Sequence, residues 1–240
     1  MKFWSRLLLA WVLVALLAMA GPVRVGQAGQ NPLQDSPEIL RAREYLQRLT
    51  PEERVGQLFV VSMQGTVIDE RSQIYDLITN YHSGGVMLLR ANDNFTSGSS
   101  AALDAYNLTS GLQNIEWLSG QAPSVNASGI SFTSQYVPLL IGMSQEGDSY
   151  PNDQLFNGVT QLPSLMAIGA TWNPDLARQV GEVMGREMEA LGINLFIGPS
   201  LDVLDLQQME SGEDLGVRAF GGDPYWVSKM GQAYIAGLHT

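Results

Sequence analysis

Gly192-Ile193-Asn194-Leu195-Phe196-Ile197-Gly198-Pro199-Ser200-Leu201-Asp202-Val203 reads as a helix stop, an apolar strand and a polar loop in direct succession. A long acidic loop follows, and then Gly216-Val217-Arg218-Ala219-Phe220-Gly221-Gly222-Asp223-Pro224. A lone arginine between glycines, downstream of a strand that ends in polar residues, has the form of a binding loop at the C-terminal edge of a parallel sheet.

The flanks of this stretch are helical. Before it, Thr171 or Asn173 caps a helix that Pro174 opens, Asp175 favours at its positive end and Gly192 stops. Leu176, Val180, Val183, Met184 and Met188 are its expected buried stripe, and Gly181 and Gly185 allow close approach to a neighbour. After it, a helix over Tyr225–Leu238 turns Val227, Met230, Ala233, Tyr234 and Leu238 inward.

Further upstream the same alternation repeats. Strands are expected at Leu58–Val61, covered on both faces, at Val86–Leu89 and at Val137–Met143, with a helix over Glu70–Tyr81. Residues 91–136 interrupt the pattern with ends rich in Asn, Ser, Thr and Gly; their middle, Ala101–Leu118, has helical character. Ahead of the first strand, Ser36-Pro37-Glu38 starts a helix whose Ile39, Leu40, Ala42 and Leu46 fit a half-buried face. Thr50-Pro51-Glu52-Glu53 is a capping box opening a second, short helix. Four strands alternating with helices imply parallel pairing by crossovers. The expected fold is therefore α/β, a (β/α)8 TIM-barrel-like architecture of which about four βα units, the N-terminal half, are present; such barrels usually need about 250 residues. A small open sheet is the alternative.

Lys2 and Arg6 precede an apolar run, Leu7–Ala20, that closes in Ala18-Met19-Ala20. This is the pattern of a secretory signal peptide at 1–20, and the run falls short of the ~20 residues that span a bilayer. An uncleaved membrane anchor is the competing reading. Residues 21–34 read as a spacer, and 35–240 as the barrel portion with an insertion at about 91–136. The chain has no cysteine, which excludes disulfides and a lipid-modified cysteine anchor. A net charge of −11 makes nucleic acid and anionic membrane surfaces poor partners. The expected location is outside the cytoplasm, exported through the signal.

With two histidines and no cysteine, few catalytic arrangements remain. His82 and His239 have no metal-ligand spacing to other candidates, so neither metal nor cofactor is expected. Carboxylates remain for acid–base work: Glu146 and Asp148 follow the third strand and Asp202 the fourth. Glu146 and Asp202 are candidate binding groups, with loop-structuring roles as the alternative. Arg218 is the sharpest candidate, because its planar fork holds vicinal hydroxyls or a carboxylate in fixed geometry. A salt bridge to Asp202, Glu213 or Asp214 is its structural alternative. Trp172 and Trp226 are expected to pack at helix ends. Sequons at Asn94, Asn107 and Asn126 are candidate glycosylation sites only in a host that performs the reaction.

Several blocks together resemble the N-terminal domain of glycoside hydrolase family 3. They are Leu49-Thr50-Pro51-Glu52-Glu53-Arg54-Val55-Gly56-Gln57-Leu58-Phe59, His82-Ser83-Gly84-Gly85-Val86, Gln145-Glu146-Gly147 and Leu162-Pro163-Ser164. Ala167-Ile168-Gly169-Ala170-Thr171, Gly192-Ile193-Asn194, Pro199-Ser200-Leu201-Asp202-Val203 and Arg218-Ala219-Phe220-Gly221-Gly222-Asp223-Pro224 continue the likeness in the family's order. The resemblance implies a (β/α)8-type domain and hydrolysis of terminal β-linked sugars, β-N-acetylhexosaminidase-like, with retention through a glycosyl-enzyme intermediate. A small carbohydrate is then the partner. Arg218 matches the family's sugar-binding arginine. The aspartate that usually begins the Asp-Gln-Glu-Gly-Gly block is Ser144 here, and the second glycine is Asp148. The family's nucleophilic aspartate and histidine-bearing loop fall beyond position 240, so no catalytic residue is expected within this chain and no turnover by it alone. A non-catalytic exported carbohydrate-binding module, or degenerate barrel, stays open beside this reading, as does a purely structural exported domain.

Overall fold

The computed structural model describes residues 36–121, 123–125, 129, 131–147, 153–204 and 216–240. The expected leader and spacer lie outside them, as do Asn126, Asp148, Glu213 and Asp214. Residues 1–45 and 46–240 are separate units. Helix α1 (Pro37–Arg48) starts with Ile39 N–H donating to the Ser36 hydroxyl. Its expected half-buried face is not formed: Leu40 and Leu46 are each 52% exposed and no residue of the helix is buried.

The larger unit opens with α2 (Pro51–Gly56), where the expected capping box is complete. Thr50 Oγ1 accepts from Glu53 N–H at 3.2 Å, and Glu53 Oε2 accepts from Thr50 N–H at 2.7 Å. The chain then runs through β1 (Val60–Ser62), α3 (Gln73–Thr79), β2 (Gly85–Met87) and α4 (Ala101–Ser119). A hairpin of β3 (Pro123–Val125) and β4 (Ser131–Thr133) leads to β5 (Leu140–Met143). Helices α5 (Leu165–Ala170) and α6 (Pro174–Ala190), strand β6 (Leu195–Phe196) and helix α7 (Pro224–Leu238) complete it.

The sheet is four-stranded, order β1-β2-β5-β6, and every pair in it is parallel. Val60 pairs Gly85, Val86 pairs Ile141 and Gly142 pairs Leu195. Each crossover carries helix, as parallel pairing requires. The helix expected inside 91–136 is α4, and it is the helix of the β2-to-β5 connection. Gln113 on α4 gives and takes hydrogen bonds with the Leu139 backbone, at 2.9 and 3.1 Å, and so fixes the helix on the entry to β5. Asn194 does the same from the β6 side: its amide accepts from Ile141 N–H at 2.7 Å and donates to Leu139 O at 2.9 Å, adding a rung before β6 begins.

The main core lies between the sheet and α3, α4 and α6, with Ile78, Val86, Leu112, Ile141, Met143 and Met184 almost fully enclosed. Each such side chain contributes roughly 1.5–3 kcal/mol of burial. A second cluster, among them Ile168, Phe220, Met230 and Tyr234, joins α5, α6 and α7. The first strand departs from expectation. Leu58 and Phe59 lie ahead of β1 and are 80% and 56% exposed, and within the strand Val60 is 43% exposed, so among the described residues nothing covers both of its faces.

The inward stripe of α6 is also rotated from the expected one, to Ala177, Gly181, Met184 and Met188, with Leu176 41% exposed. Small residues drive the rotation, since α6 and α7 cross backbone to backbone. A β-carbon on Gly181 would meet Tyr234 O, and one on Gly237 would meet Arg178 O. Of the two proposed caps, Asn173 is the one used, accepting from Asp175 N–H at 3.0 Å.

Candidate functional site

Residues leaving the C-terminal ends of the parallel strands converge on one mouth, and the exit of β5 is its centre. Ser144-Gln145-Glu146-Gly147 turns sharply there, with Gly147 at φ +88°, a conformation that side chains disfavour. A neighbouring segment, Asp153–Phe156, holds that turn in place. Asp153 Oδ1 accepts from Glu146 N–H at 2.7 Å and from Gly147 N–H at 2.8 Å. Gln145 Oε1 accepts from the N–H groups of Gln154 and Leu155, both at 3.1 Å, while its Nε2 donates to Leu155 O at 2.8 Å. The two side chains thus act as a substitute strand edge for backbone that has no ladder partner.

Onto this turn the loop after β6 delivers Arg218. Its Nε donates to Glu146 Oε1 at 2.6 Å. Glu146 is 5% exposed, whereas the Arg218 side chain is 42% exposed. The carboxylate is therefore the buried anchor, and the guanidinium presents itself to solvent at the mouth. A charge-assisted bond of this kind fixes the plane of the guanidinium as well as its place. The sequence alone offered Asp202, Glu213 or Asp214 as the ion-pair partner; the structure joins the arginine to Glu146, which follows a neighbouring parallel strand, and Glu213 and Asp214 lie outside the described residues. Asp202 is exposed, its carboxylate accepting from Ser200 Oγ at 3.2 Å. Beneath the pair lies the second core cluster. Burial, and after it the charges of Glu146 and Asp153, push the Tyr234 hydroxyl well above its ordinary range, so it remains a neutral phenol.

The sequence reading overlooked one residue of this region. Arg90 stands at the exit of β2, where its Nε donates to Gln154 O at 2.9 Å and its guanidinium lies 3.7 Å over the Phe156 ring. Its signal was available: an arginine directly after an apolar strand occupies the same place on β2 that Ser144-Gln145-Glu146 occupies on β5. Ser144, where the family pattern has aspartate, accepts from Gln154 Nε2 at 3.2 Å.

The remaining candidates lie elsewhere. His82 is buried on the opposite, entry side of β2, edge-on to Phe132, and burial lowers its pKa. Trp172 and Trp226 meet in a T-shaped contact at 5.0 Å between helix starts. Asn94 is buried, with its amide donating to Gly65 O at 2.6 Å and Met63 O at 3.2 Å and accepting from Leu89 N–H at 2.8 Å, so a glycan there is incompatible with the fold. Asn107 is exposed on α4. Among the described residues no group of three or more acidic or histidine side chains is placed to hold a metal, and no helix is long and apolar enough to cross a membrane.

Comparison with known proteins agrees with this architecture. Residues 50–240 match the glycosyl hydrolase family 3 N terminal domain. The beta-hexosaminidase of Thiobacillus denitrificans is 37% identical over 107 residues, covering 42% of this chain and 28% of that protein. The beta-N-acetylglucosaminidase/beta-glucosidase of Cellulomonas fimi is 28% identical over 206 residues, covering 86% of this chain and 30% of that protein. Among solved structures, a family 3 beta-N-acetylglucosaminidase from a Paenibacillus species superposes with a TM-score of 0.64 at 30% identity, over 80% of this chain and 31% of that one. The chain spans less than a third of the length of these two curated relatives. Its parallel sheet of four strands has the TIM-barrel-like α/β fold of these structures. By the match over residues 50–240, the chain belongs to glycosyl hydrolase family 3 and carries the sequence of its N-terminal domain.

Proposed function

We propose that the chain supplies the sugar-gripping part of an exported β-glycosidase that releases terminal β-linked N-acetylhexosamine with retention. The observation that carries this reading is the Arg218–Glu146 pair: a buried carboxylate holds a half-exposed guanidinium at the exit of a parallel sheet. A fork in that position donates to two hydroxyl or carbonyl oxygens of one sugar ring in fixed geometry. The beta-hexosaminidase named above, aligned over 107 residues, supports the N-acetylated substrate. No acid and nucleophile pair flanking Arg218 occurs among the described residues, so the 240 residues by themselves are expected to bind sugar and not turn it over. Export rests on the charged, then apolar, then small-residue pattern of positions 1–20, and the mature N-terminus of protein recovered outside the cytoplasm tests it.

The decisive assay compares 4-nitrophenyl N-acetyl-β-D-glucosaminide with the β-D-glucoside, using the complete product of the reading frame. Hydrolysis of the N-acetylated substrate, falling about 10²-fold or more in Arg218→Lys, is expected, because lysine offers a point charge in place of a fork. A second reading is favoured by Ser144, which replaces a carboxylate at the site's edge: an exported carbohydrate binder without catalysis. Affinity for N-acetylglucosamine with no hydrolysis by the complete product would select it. Neither affinity nor hydrolysis refutes both.

A further inference from the structure

We infer that Arg90, at the exit of β2, is a positioning residue for the Arg218–Glu146 pair, which it does not touch. The inference rests on the proposed sugar-gripping role of that pair and adds the device that aims it. Arg90 engages the segment after Asp153 in three ways. Its backbone N–H donates to Gln154 Oε1 at 2.7 Å, its Nε donates to Gln154 O at 2.9 Å, and its guanidinium covers the Phe156 ring at 3.7 Å. The segment so held carries the acceptors and donors that set the turn at Glu146. Asp153 takes the N–H groups of Glu146 and Gly147, and Gln154 and Leu155 pair with the Gln145 side chain. Gln154 also reaches Ser144 Oγ. Every residue of the Ser144–Gly147 turn is therefore tied to Asp153, Gln154 or Leu155, the short segment that Arg90 holds at Gln154 and Phe156.

One atom argues that this is more than local packing. Arg90 Nη2 is buried and has no hydrogen-bond partner. A methionine would cover Phe156 equally well without burying an unpaired donor, so the arginine is destabilising on that account. What arginine alone supplies is the Nε–H to Gln154 O while the guanidinium covers the Phe156 ring at 3.7 Å. That combination fixes the height of the Gln154 backbone over the sheet, and with it the turn bearing Glu146. Side chains that bind a ligand need such support, because a small displacement of the binding group costs rate and affinity.

The test uses Arg90→Met, which keeps the cover over Phe156 and loses the Nε donor. Two readouts are followed. The first is exchange of the Arg218 Nε–H in the nitrogen-edited NMR spectrum, with Arg218→Lys identifying the signal; this needs no catalysis. Exchange should quicken about tenfold in Arg90→Met as the bond to Glu146 loosens. The second is hydrolysis of the N-acetylglucosaminide: kcat/KM should fall about tenfold, mostly through KM, and Arg90→Met should add less than about twofold in an Arg218→Lys background, since residues acting through one group are not additive. Unchanged Arg218 Nε–H exchange, or losses that multiply independently, overturns the inference. If the wild type hydrolyses nothing, the proposed function fails while the exchange measurement still decides the role of Arg90. Should Arg90→Met not fold, Arg90→Lys, which keeps a charge and an aliphatic stem, is read in the same two ways.

Discussion

Glu116 offers the sharpest test of the energetics. It lies on the buried side of α4, 5% exposed, with Val137 N–H donating to its Oε1 at 3.3 Å. Burial raises its pKa from the ordinary 4.5 to about 7; the nearby Glu53 adds to the rise and the Val137 bond opposes it. Because the folded-state value lies above the unfolded one, the folded protein holds a proton through this window that the unfolded chain releases. Stability is therefore unaffected below about pH 4.5, falls as pH rises towards 7, and stays at the lower value beyond. Each pKa unit is worth about 1.4 kcal/mol, so the whole penalty is roughly 3 kcal/mol. Glu116→Gln keeps an oxygen for Val137 N–H and removes the charge. It should leave stability at pH 4.5 nearly unchanged and raise it by about 2–3 kcal/mol at pH 8, or roughly 5–10 °C in the unfolding midpoint for a unit of this size. Calorimetric or near-ultraviolet unfolding from pH 4.5 to 8.5 measures this. His82, whose pKa is lowered by burial, loses stability in the opposite direction as pH falls, but the difference between wild type and variant cancels it. A variant less stable than wild type at pH 8, or one with the same pH slope, refutes the reasoning.

Two smaller predictions follow from packing. Gly181→Ala should destabilise by about 2–3 kcal/mol, read from urea unfolding, because the added carbon meets the Tyr234 carbonyl on a helix that has no room to retreat. Asn94→Ala should cost about 2–4 kcal/mol and leave the protein's mass unaltered even in a glycosylating host, since the wild-type amide is wholly engaged with Met63, Gly65 and Leu89.

Much of this protein was legible in one dimension. Alternating apolar runs and capped helices specified the parallel α/β sheet, because crossovers and caps are written locally. The capping box at Thr50–Glu53, the Asn173 cap and the stop at Gly192, which adopts φ +75°, all stand where the residues put them. Arg218 was singled out for its setting between glycines after a strand. Its partner was not, because Glu146 lies 72 positions away and meets it only when β5 and β6 pair side by side. Arg90 escaped notice for the same reason: its worth depends on Gln154, which is 64 residues distant. The burial of Asn94 and the rotation of the α6 stripe towards Gly181 were likewise decided by what packs against them. Local sequence fixes the conformation of each segment, since capping and periodicity act within a few residues. Only tertiary structure decides which side chains meet, since hydrogen bonding and close packing act through space.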